Sequence, residues 1–110
     1  GLKMDFPIIA DEDRRVACLY DMLDHQDPTN VDAQGLPLTV RTVFVIDPAK
    51  RIRALLSYPA AVGRHFGEII RLLDALQLTD RHKIATPANW QPGQEVIVRF
   101  DVGEEEAKQA

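Results

Sequence analysis

Two arginines stand where a fixed positive charge could serve chemistry. Arg41 lies inside "LTVRTVFVID", a run otherwise rich in Val, Ile, Phe and Thr. Burying a guanidinium is costly unless it is paired. Two readings stay open on chemistry alone. Arg41 sits at a strand end and reaches water or a nearby Asp, or it is a cation held on a rigid element to bind an anion or a developing negative charge. Arg64 stands at the start of an apolar helical pattern. There it is either an exposed first-turn residue paired with Glu68, or part of an anionic site at a helix N-terminus.

The remaining reactive residue types point to less. Cys18 is the single cysteine and falls within a helical apolar spacing, where a free thiol reads as a small, inert core residue. His25, His65 and His82 are far apart and lack Cys or carboxylates at ligand spacing, so neither a metal nor a cofactor is expected. No phosphate loop, nucleophile elbow or Ser/His/Asp pattern occurs. The stretch "ATPANWQPGQ", residues 85–94, carries the sole tryptophan, Trp90, between Pro87 and Pro92. Two prolines exclude helix and favour an extended segment that ends in a Pro-Gly turn. Trp90 either pins this segment to its own body or belongs to a functional face.

The elements that must position these residues follow from periodicity. "DFPIIAD" predicts a strand around Phe6–Ile9, with Asp11 or Asp13 capping a helix whose face is Val16, Leu19, Tyr20 and Leu23. A loop, "DHQDPTNVDAQGLP", follows. Residues 39–58 predict a β-hairpin turning at "DPAK". Its first strand places Val40, Thr42, Phe44 and Ile46 on one face and Arg41, Val43 and Val45 on the other, a pattern expected of a central strand covered on both sides. "GRHFGEIIRLLDALQL" is the clearest helix, and "TDRHK" adds a further turn. "EVIVRFDV" predicts a last strand. The order β-α-β-β-α, then an arm and a strand, implies an α/β mixed sheet with its first strand parallel to the hairpin.

Composition sets the class. The chain has 110 residues, 45% hydrophobic and 27% charged, with a formal net charge of −4. That is one ordinary globular domain able to bury roughly 65% of its unfolded surface. No basic cluster is joined to aromatics, which argues against nucleic acid. No apolar run nears the roughly 20 residues of a membrane span. A single cysteine suits a reducing compartment, and a cytoplasmic location is expected.

With these residues in view, the chain resembles the one-cysteine peroxiredoxins of the thioredoxin-fold superfamily. "FPIIAD", "LPLTVRTVFVIDPAKRIR", "SYPAAVGRHFGEIIRLLDALQLT" and "ATPANWQPGQEVIV" match family segments in the family's order. The resemblance implies the later part of a thioredoxin-like fold over residues 1–78 and the family's C-terminal extension over 79–110. It implies a parent enzyme that reduces hydrogen peroxide and alkyl hydroperoxides with an external thiol. Arg41 matches the arginine facing the catalytic thiolate, and Arg64 a second arginine near that pocket. Thr86 stands where two-cysteine relatives carry a resolving cysteine. The same segment crosses to the partner subunit in the family, which makes Trp90 a homodimer contact. The family's Pro-x-x-x-Thr/Ser-x-x-Cys segment does not occur in this sequence, and Cys18 does not match its cysteine. The expectation is therefore a C-terminal portion, truncated at both ends and inactive alone. The alternative is a non-catalytic dimerisation or binding module built from the same half-fold.

Overall fold

The computed structural model describes residues 4–99. Their elements are α1 (Arg15–Leu19), β1 (Arg41–Ile46), β2 (Ile52–Tyr58), α2 (Phe66–Arg81), β3 (Ile84–Ala85) and β4 (Ile97–Val98). Two compact units result, Gly1–Phe44 with Ala54–Arg64, and Val45–Arg53 with His65–Ala110.

In the first unit, Asp11 builds the start of α1. Its carboxylate accepts from the Val16 and Ala17 amides at 2.9 and 2.8 Å. Two of the amide donors left open at a helix start are thereby satisfied. Arg14, in the left-handed region at φ 62°, precedes the helix. Its guanidinium donates to the Pro37 and Asp11 carbonyls, both at 2.8 Å, and lies 3.3 Å from the Asp32 carboxylate. These bonds tie the helix start to the long loop. That loop carries isolated antiparallel bridges, Leu23 to Thr39 and Val31 to Pro37. Tyr20 meets Phe44 edge to face, with ring centroids 5.2 Å apart.

Four expectations change here. Residues 6–9 form no strand, and Phe6, Ile8 and Ile9 are exposed. A short apolar run becomes a strand only when a neighbour takes its backbone donors and acceptors, and no ladder partner pairs with it among the described residues. The mixed sheet falls with it: the described sheets are two-stranded, β1 with β2 and β3 with β4, the latter antiparallel. The first helix is only 5 residues long and turns Ala17 inward, leaving Leu19 80% exposed. Cys18 is accordingly exposed rather than core.

The hairpin holds as expected. Its turn closes through the Lys50 amide to the Asp47 carbonyl at 2.9 Å, with Pro48 second in the turn. Lys50 then takes φ 64°, the left-handed position that commonly follows such a turn. β1 is half-buried along its middle and exposed at both ends, so it lacks the two-sided cover its composition suggests.

In the second unit, α2 runs 16 residues, through the extra turn that "TDRHK" offers. Glu68 lies in its first turn and Arg81 in its last, each complementing the helix dipole. His82 is extended and ends it, its amide returning to the Leu78 carbonyl at 3.1 Å. Arg53 reaches α2 with two bonds to Asp80, 2.8 and 3.0 Å. β3 then pairs with β4, Ile84 opposite Val98 and Ala85 opposite Ile97. The expected last strand extends past residue 99, outside the described residues.

Candidate active-site arginines and the tryptophan arm

Arg41 is the first residue of β1 and is exposed. The strand is anchored beside it, because the Thr42 and Ser57 hydroxyls bond across the hairpin at 3.0 Å. Arg41 thus sits at the exposed end of a strand paired in a two-stranded ribbon. At the same end of the hairpin lies a cleft of about 620 Å³, lined by Val40, Ser57, Tyr58 and Pro59 and by the Asp24–Asp27 turn. The Asp24 carboxyl is held below the usual carboxylate range, first by the Asp27 amide.

Arg64 is also exposed and belongs to the same unit as Arg41. It directly precedes the residue that caps α2. That cap is His65, whose Nδ1 accepts the Glu68 amide at 2.9 Å. The Glu68 carboxylate is gripped by Arg71, donating from Nε and Nη2 at 2.6 and 2.8 Å. Those bonds, more than anything else, hold the Glu68 carboxyl below its ordinary range and raise Arg71.

Thr86 and Trp90 lie in the other unit. Thr86 is half-buried and directly follows β3. Trp90 is 3% exposed, packed within its own chain. The arm around it is two successive turns. The Trp90 amide returns to the Pro87 carbonyl at 3.2 Å, and the Gln94 amide to Gln91 at 3.0 Å. Each needs a left-handed third residue, supplied by Asn89 at φ 65° and Gly93 at φ 93°. The indole Nε1 donates to the Gln94 carbonyl at 3.2 Å. From α2, Arg71 Nη1 donates to the Trp90 carbonyl, also at 3.2 Å.

Arg71 and His65 are the residues that sequence reasoning missed. A signal for His65 was present: it stands three before Glu68, the spacing of a capping box, with an imidazole where Ser, Thr, Asp or Asn usually sits. Among the described residues, no group of three His, Cys, Asp or Glu side chains is placed to hold a metal ion, and no helix is long and apolar enough to cross a membrane.

Comparison with known proteins gives this geometry a context. A family model, the C-terminal domain of 1-Cys peroxiredoxin, matches residues 75–110. Peroxiredoxin PRX1, mitochondrial, of Saccharomyces cerevisiae is 52% identical over 103 residues, 94% of this chain and 39% of that protein. A crystal structure of a mutant of the Peroxiredoxin 6 of Arenicola marina aligns with TM-score 0.84 and 46% identity, over 99% of this chain and 48% of that one. A structure addressing the thiol resolving mechanism in yeast mitochondrial 1-Cys peroxiredoxin via glutathione/thioredoxin systems aligns with TM-score 0.77 and 50% identity, over 96% of this chain and 49% of that one. The chain thus spans less than half the length of these relatives.

Proposed function

We propose, from the premise that this chain belongs to the one-cysteine peroxiredoxins as their C-terminal portion, that its parent enzyme reduces hydrogen peroxide and alkyl hydroperoxides. The observation that carries this reading is the match to peroxiredoxins along 94% and 99% of the chain, and to a 1-Cys peroxiredoxin along 96%. It favours the enzyme portion over a non-catalytic module.

The parent's cysteine thiolate attacks the distal oxygen of the hydroperoxide. The O–O bond breaks, a sulfenic acid forms, and the departing alkoxide or hydroxide takes a proton. Arg41 serves this step in two ways. A cation within about 4–6 Å favours the thiolate. It also donates hydrogen bonds to the peroxide oxygens as negative charge grows on the leaving one. Its place at the end of a paired strand supports the role, because a preorganised donor needs little rearrangement. Arg64 acts as a second cation at the same pocket.

The cycle closes with an external thiol. One thiol displaces water from the sulfenic acid to form a mixed disulfide, and a second releases the enzyme thiol and carries away the disulfide. Thr86 supports this, since its hydroxyl cannot form a disulfide where two-cysteine relatives keep a resolving cysteine. Residues 1–78 form the end of the thioredoxin-like domain and 79–110 its C-terminal extension. In that extension Trp90, buried in its own chain, contributes to a homodimer contact through the arm it pins. The parent acts in the cytoplasm, a reading that rests on the low cysteine content of this chain.

The test is kinetic. In the parent enzyme, Arg41→Ala lowers kcat/KM for hydrogen peroxide by about 10²-fold or more, the usual loss for a donor to a developing oxyanion. A wild-type value in that variant contradicts the assignment.

A further inference from the structure

A chain of side-chain contacts runs through α2 to the arm. His65 Nδ1 takes the Glu68 amide, the Glu68 carboxylate takes Arg71 two-handed, and Arg71 donates a further N–H, from Nη1, to the Trp90 carbonyl. The guanidinium is planar and rigid, so a fork fixed on Glu68 also fixes the direction of Nη1. The Trp90 carbonyl sits between the two turns of the arm. Every residue in this relay lies in one unit.

We infer that Arg71 is the positioning residue of the 85–94 arm: oriented by Glu68, it sets where the segment bearing Thr86 and Trp90 lies against α2. The consequence for assembly rests on the dimer contact proposed above. The arm's internal bonds shape it, and the bond from Arg71 to the Trp90 carbonyl links it to the helix. Arg71 thereby acts on the partner contact through the arm, without touching the partner itself.

Hydrogen exchange and sedimentation on the full-length protein test this. With Arg71→Gln, the Trp90 and Gln94 amides should exchange about tenfold faster or more while the middle of α2 keeps its protection. Self-association should weaken by about tenfold. Arg71→Lys, which keeps the charge but loses the fork, should recover only part of both effects. Unchanged exchange in the arm overturns the inference. So does equal acceleration in arm and helix, which marks a melted helix rather than a lost tether, and so does a loosened arm with unaltered self-association. A wild-type protein that is monomeric throughout overturns the dimer reading instead, and arm exchange alone then decides the role of Arg71.

Discussion

His65 caps α2 with an imidazole and has an unusual neighbour to accommodate. A Cβ on Gly67 would stand 2.8 Å from the His65 Cε1, so the absence of a side chain at 67 is what lets the ring seat. Gly67→Ala therefore brings two opposed effects. Alanine gains about 1 kcal/mol of helix propensity over glycine, and displacing the ring loses a cap of about the same size. The single variant should change thermal stability little. In a His65→Ala background, with no ring left to displace, Gly67→Ala should stabilise by about 1 kcal/mol. Equal effects in the two backgrounds would show that the ring and position 67 do not interact. At this scale the placing of Arg41 at a strand end, one of its two readings, was legible, because burying a charge inside a β-branched run is costly. Cys18 was not: helical spacing placed it inward, but a helix of 5 residues covers too little to bury that face.

Elements that satisfy their own backbone were the readable ones. The 39–58 hairpin carries its turn chemistry in "DPAK", and α2 carries its length in an unbroken helix-forming run. The strand at 6–9 was misread because pairing is supplied by a neighbour, which no local pattern encodes. The Arg71 bond to Glu68 was missed because an i+3 arginine fits the spacing as well as an i−4 one, and only side-chain geometry shows it. Between elements, Arg53 joins β2 to α2 through Asp80. The Asp80 carboxyl is held below its ordinary range, first by the Arg53 hydrogen bonds. A carboxylate with a depressed folded-state pKa contributes stability that is present above the unfolded value, about 4. It is lost as pH falls below that value through the folded one. Asp80→Asn should flatten the fall in melting temperature below about pH 4 while lowering stability near neutrality. Parallel acid limbs in wild type and variant would remove Arg53–Asp80 as a pH-dependent link.

On the scale of the whole molecule, only Ala17, Ala75 and Trp90 are buried hydrophobic residues among those described. Composition predicted a fuller core, because a residue count says how much apolar surface exists and not what lies against it. On α2, Phe66 and Ile70 stay 63% and 59% exposed. Apolar faces of this kind suit a chain that spans less than half the length of its relatives. The central claim is that the chain supplies the arginines of a peroxidase and not its nucleophile. Thiol-dependent peroxide consumption, measured side by side on the purified 110-residue chain and on the full-length protein, tests it most directly. The account predicts turnover by the full-length protein alone, with the 110-residue chain no faster than thiol in buffer; comparable turnover by the chain, or none by the full-length protein, would contradict it.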